Sequence, residues 1–67
     1  MIISLNNRKE EFPGEQASVS EILKMKNFTF PRIIVRLNGN LIKKPAYAET
    51  IVRDKDILNI IHLISGG

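Results

Sequence analysis

One stretch of this chain has the period of a helix. Every other apolar stretch has the alternation or the brevity of a strand. Val19, Ile22 and Leu23 recur at helical spacing and make a single apolar stripe, with Ser20, Glu21 and Lys24 off it. Ser18 stands three residues before Glu21, the spacing at which a hydroxyl and a carboxylate satisfy each other's backbone N–H groups at a helix start. The stripe fades near Lys26-Asn27. One amphipathic helix has one face to bury, and in 67 residues the surface that covers it has to be one face of one sheet.

The strands for that sheet are legible from alternation and turn chemistry. Ile2 to Asn6 places Ile3 and Leu5 on one face and Ser4 on the other. Asn6-Asn7 suits a tight hairpin turn, because asparagine tolerates positive φ. Arg8 to Phe12 returns from it and is polar except for Phe12, as suits a sheet edge. Pro13-Gly14 ends the hairpin. After the helix, Phe28-Thr29-Phe30-Pro31 is a connector whose phenylalanines plug the core. Arg32 to Leu37 is the clearest interior strand, with Ile33, Val35 and Leu37 on one face and Ile34 and Arg36 on the other. Asn38-Gly39 is a hairpin signal, and Asn40 to Ile42 returns until Lys43-Lys44-Pro45 breaks it. Ala46 to Thr50 reads as a helical turn or irregular crossing. Ile51 and Val52 lead to a charged turn at Asp54-Lys55-Asp56. The last strand runs from Ile57 to Leu63 or Ile64, with Leu58, Ile60 and His62 on one face and Asn59, Ile61 and Leu63 on the other. The expected class is α+β: a mixed sheet of four to five strands in a ββαββ order, with one main helix packed on one face. The expected core is Ile3, Leu5, Ile22, Leu23, Val35, Leu37, Leu58 and Ile60.

Composition narrows the function. Residues 1–67 make one small domain, with a modest buried fraction. There is no cysteine and one histidine, so neither thiol chemistry nor a dedicated metal site is expected. No apolar run approaches the roughly 18 residues that span a membrane, and the start lacks the pattern of a signal peptide. A cytoplasmic protein is expected. The net charge is +3, with the Lys and Arg residues scattered and Phe12, Phe28, Phe30 and Tyr47 not interleaved with arginine. That pattern suits a solvated surface, or an acidic protein partner, better than nucleic acid.

The chain closes with Leu63-Ile64-Ser65-Gly66-Gly67. Glycine has no Cβ, so the last residues are thin, and a thin carboxylate-tipped tail can enter a narrow active site on another protein. A chance Gly-Gly ending occurs in about one chain in 200. Residues 65–67 are expected to be a flexible extension of the domain.

Taken in order, several segments together resemble the small sulfur carrier family of thiamin biosynthesis, a group of ubiquitin-like β-grasp proteins. They are Ile2-Ile3-Ser4-Leu5-Asn6, Ser18-Val19-Ser20-Glu21-Ile22-Leu23, Val35-Arg36-Leu37-Asn38-Gly39, Tyr47-Ala48-Glu49-Thr50, Asp54-Lys55-Asp56 and Gly66-Gly67. Tyr47 stands where the family commonly has tryptophan, Asp54-Lys55 where it commonly has an acidic residue and glycine, and the charge balance here is basic. The resemblance implies a β-grasp fold and a protein cosubstrate that is not itself an enzyme. An E1-like adenylyltransferase would use ATP to adenylate the carboxylate of Gly67. Sulfur supplied by a donor such as a cysteine desulfurase would replace one oxygen, and thiazole synthase would take that sulfur from the thiocarboxylate. Gly67 is then the carrier site, Gly66 and Ser65 give access, and no cofactor is bound. Two other readings stand beside this one. One is the related small subunit that carries sulfur for molybdopterin synthase. The other is a β-grasp interaction or RNA-binding module without tail chemistry.

If Ile33 to Leu37 pairs with Ile57 to Leu63, as in ubiquitin-like folds, then Ile34, Arg36, Asn59, Ile61 and Leu63 form one patch on the face away from the helix. An apolar patch that leads into the tail is expected to dock a partner. His62 reads as a plain strand position, Asp54 and Asp56 as turn residues, and Asn38-Gly39 as a hairpin.

Overall fold

The computed structural model describes residues 1–28 and 32–63. In them the order is β1 (Ile2–Leu5), β2 (Arg8–Glu11), β3 (Gln16–Ser18), α1 (Val19–Met25), β4 (Ile33–Leu37), β5 (Asn40–Ile42), β6 (Ile51–Arg53) and β7 (Ile57–His62), with a 3₁₀ turn at Lys44–Ala46. Five strands form the main sheet in the order β2-β1-β7-β4-β5. The β1–β7 pair is parallel and the other pairs are antiparallel, so the sheet is mixed and the last strand lies at its centre.

Local chemistry explains the turns. Asn6 and Asn7 both take left-handed φ, 51° and 67°, which matches the twist of a two-residue hairpin. Asn38 and Gly39 do the same at 51° and 85°. Both hairpin asparagines also work at a distance. Asn6 Oδ1 accepts from the Ile60 N–H at 2.7 Å, and Asn38 Oδ1 accepts from the Ile57 N–H at 2.8 Å. Each turn is thus tied to β7, which joins the two hairpins into one sheet.

The helix is capped at both ends. Ser18 Oγ accepts from the Glu21 N–H at 3.1 Å, and Glu21 Oε1 accepts from the Ser18 N–H at 3.0 Å. These bonds hold the Glu21 carboxyl below its ordinary value, the Ser18 backbone N–H first and its hydroxyl next. At the other end Asn27 turns left-handed at φ 62°. Its N–H donates to the Lys24 carbonyl, and the Phe28 N–H donates to the Leu23 carbonyl. This is a Schellman ending, with Phe28 half-buried against the core beside its bonding partner.

Of the expected core residues, Ile3, Leu5, Ile22, Leu23, Val35, Leu58 and Ile60 are buried. Leu37 is half-buried. It is the last residue of β4, against the Asn38-Gly39 turn, where the sheet ends and cover is partial. Phe12, Ala17, Val19 and Val52 complete the core. Two of these come from an unexpected element: β3 and β6 form a separate antiparallel ribbon that pairs Ala17 with Val52. Ser18 is therefore both the end of a strand and the helix cap. The crossing after β5 starts one residue pair earlier than expected, at Lys44, because the fixed φ of Pro45 suits the first turn of a helix.

Candidate functional site

The central place of β7 decides what the molecule presents. Its inward residues, Leu58 and Ile60, are in the core. Its outward residues, Ile57, Asn59, Ile61 and Leu63, lie on the face that no helix covers. The β4–β7 register pairs Ile34 with Ile61 and Arg36 with Asn59. The Leu63 N–H donates to the Arg32 carbonyl at 2.9 Å, so the pairing continues to the last described residue. Ile34, Arg36, Asn59, Ile61 and Leu63 are therefore brought together as cross-strand and same-strand neighbours. Ile61 and Leu63 are exposed, while Ile34 and Asn59 are half-buried in the sheet surface. Ser65, Gly66 and Gly67 lie outside the described residues, as do Thr29, Phe30, Pro31 and Ile64.

The register adds a residue that alternation alone did not assign. Leu41 pairs with Arg36, so it faces the same way, and it is 58% exposed. Lys43 follows two residues later in extended conformation and continues on that side. A three-residue strand is too short to show its facing from sequence; only the pairing with β4 reveals it.

Other residues weighed from the sequence have structural work. Asp54 Oδ1 accepts from the Ile2 N–H at 2.7 Å, and Asp56 Oδ2 accepts from the Arg53 N–H at 2.8 Å. Asp56 Oδ1 also accepts from the Asn38 amide. These carboxylates build the β6–β7 turn and tie it to β1 and to the β4–β5 hairpin. His62 is exposed at the end of β7, where it pairs with Ile33, and so does not join Leu58 and Ile60 in the core. A shallow cavity of about 350 Å³ opens at the opposite end of the sheet, bounded by Ile2, Ser4, Lys9, Asp54 and Lys55. It is remote along β7 from the Ile61–Leu63 end.

Comparison with known proteins follows the fold and the tail alike. The ThiS family model matches residues 3–67, a span that includes the two terminal glycines. The sulfur carrier protein ThiS of Bacillus subtilis (strain 168) is 24% identical over 66 residues, which cover 98% of this chain and all of that protein. The crystal structure of the thiamine biosynthesis protein ThiS from Geobacter metallireducens superposes with a TM-score of 0.88 at 26% identity, covering the whole of both chains. The solution structure of a thiamine biosynthesis protein from Geobacter metallireducens gives 0.75 at 25% identity, covering all of this chain and 88% of that one. These likenesses fit the five-stranded mixed sheet with its single main helix, the ubiquitin-like β-grasp. The chain belongs to the ThiS family.

Proposed function

We propose that this protein is a sulfur carrier of thiamin biosynthesis that works through the carboxylate of Gly67. The observation that carries this reading is the family match, which runs unbroken from β1 to Gly67. The named relatives are thiamin proteins, which favours a thiazole-forming client over molybdopterin synthase.

The chemistry follows from the state of the tail. A terminal carboxyl has a pKa of about 3.3–3.7, so at neutral pH it is an anion and a poor electrophile. Attack of that anion on the α-phosphate of ATP, with pyrophosphate leaving, makes an acyl adenylate whose AMP is a good leaving group. The outer sulfur of a protein persulfide then attacks the acyl carbon and AMP leaves. A thiol reduces the S–S bond of the acyl disulfide so formed and is itself oxidised to a disulfide. The thiocarboxylate released is a soft nucleophile for the client enzyme. The domain supplies no acid or base to these steps; it is a cosubstrate of an E1-like adenylyltransferase and of thiazole synthase. The outward patch of Ile34, Arg36, Asn59, Ile61 and Leu63 holds the activating enzyme and brings the tail to its site, lowering the entropy lost on insertion.

Intact mass after incubation with the E1-like enzyme, ATP, a cysteine desulfurase with cysteine, and a thiol reductant tests the carrier reading. The expected product has one sulfur in place of one oxygen. Deleting Gly66-Gly67 should abolish the change and leave the fold intact; sulfur uptake by the truncated chain would end the reading. Ile61→Asp and Ile34→Asp should raise the KM for adenylation with kcat nearly unchanged. Parental kinetics in both folded variants would remove the patch as the docking surface.

A further inference from the structure

The charge of this chain is segregated, and the segregation falls on the outward face. From Ile22 to Ala48 the sequence has Lys24, Lys26, Arg32, Arg36, Lys43 and Lys44 and no Asp or Glu. Lys24 and Lys26 ride on the helix or its cap, and Lys26 is paired with Glu10 at 3.1 Å. The other four follow β4 and β5. On the outward side this leaves an aliphatic centre of Ile34, Leu41, Ile61 and Leu63. Arg36 and Lys43 border it, and Arg32 stands where β4 meets the end of β7. Among the described residues, the side chains of these three cations form no hydrogen bond or ion pair. The acidic residues lie in other elements: Glu10, Glu11 and Glu15 along and after β2 at the far edge of the sheet, Glu21 in the first turn of the helix, Glu49 in the crossing before β6, and Asp54 and Asp56 in the β6–β7 turn.

We propose that this face engages an apolar socket rimmed by carboxylates on the activating enzyme, and that the β4–β5 cations steer the encounter. The inference rests on the carrier reading and specifies the partner surface that reading leaves open. Charge complementarity selects the occupant. A second copy of this chain, face to face, would set Arg36 and Lys43 against their equivalents. RNA would find cations but, among the described residues, no stacking platform, because Phe12 is buried and Phe28 and Tyr47 pack against the core. An acidic rim around an aliphatic pocket satisfies both halves of the patch. Unpaired rim charges act mainly on the association rate, and apolar contacts mainly on residence time.

The test is stopped-flow association of the full chain with the organism's own E1-like adenylyltransferase at low and high salt, beside the adenylation assay. The parent's association rate should fall steeply with salt. The Arg36→Glu/Lys43→Glu double variant should associate at least about tenfold more slowly at low salt. It should approach the parent's association rate at high salt. The Lys24→Glu/Lys26→Glu double variant, on the helix and its cap, makes the same change of charge away from the face and should change the rate far less. Normal adenylation with a parental association rate that ignores salt overturns the proposal and leaves the carrier reading standing; this measurement does not depend on any variant folding. Equal slowing by Lys24→Glu/Lys26→Glu also overturns it, because net charge alone would then explain the effect. A labelled RNA that displaces the enzyme from the parent, or a dimer broken by Ile61→Asp, overturns it in favour of those occupants. Steered binding without adenylation would sink the carrier reading alone.

Discussion

Strand β7 offers nearly the same side chains to both sides of the sheet, and the two sides have opposite fates. Leu58 and Ile60 point toward the helix and are 0% and 5% exposed, whereas Ile57 and Ile61 point away and are 50% and 44% exposed. Antiparallel neighbours with one solvated face usually alternate apolar and polar residues. Here β4 and β7 carry apolar residues on both faces, with Arg36 and Asn59 as a polar pair among those on the outer one, while β2 keeps the ordinary polar outer surface with Lys9 and Glu11. Hydrophobicity is therefore not what separates core from surface in this molecule; the helix is. The described residues hold one α-helix and a sheet with apolar side chains on both faces, and the helix covers only one of them.

That contrast should be sharpest in stability. Leu58→Ala removes a fully buried side chain from the centre of the sheet and should cost about 2–5 kcal/mol by urea denaturation, much of what a domain of this size has. Ile61→Ala, on the same strand, should cost under about 1 kcal/mol. Equal losses would show that the two faces are energetically alike and that something covers the outer one. Leu37→Ala should fall between them, roughly 2 kcal/mol, because its site is only partly enclosed. Ser18→Ala opens the helix start on the covered side. It should lower stability by about 1 kcal/mol, read from the same titration.

The smallest effect is one of pH. Glu21's folded carboxyl ionises below the ordinary glutamate value of about 4.3. Its contribution is thus full above that value and is lost as pH falls through the lower folded value. Thermal melts of the parent should decline over that acid window more than those of Glu21→Gln. Parallel curves would show that the cap does not hold the carboxylate in solution.

The features legible in the sequence are those set by neighbours in the chain. Asn6-Asn7, Asn38-Gly39 and the Ser18–Glu21 pair each carry their geometry in two to four residues, and each forms as expected. The sides of β1, β4 and β7 are legible because four to six alternating residues define a face. Alternation gives the side and not the depth, which is why Leu37 reads as core and is half-buried. Gln16-Ala17-Ser18 does not read as a strand, because three residues with two polar side chains make no pattern; it pairs only because Val52 arrives opposite Ala17 from a distant part of the chain. For the same reason the shared outward facing of Ile34 and Ile61 is legible in the sequence, but that of Leu41 and Lys43 needs the register of β5.

The bond from the Leu63 N–H to the Arg32 carbonyl holds the chain to the sheet as far as Leu63. Beyond that anchor, four residues lead to Gly67. A fully extended chain advances about 3.3–3.6 Å per residue, so Gly67 can lie no more than about 14 Å from Leu63. The end of the central strand is in this sense the fixed end of a short ruler. An enzyme that grips Leu63 and reacts with Gly67 must keep its nucleotide within that radius of the grip. Residues inserted between the two would leave the grip intact and move the reacting carbon past the place where it is needed.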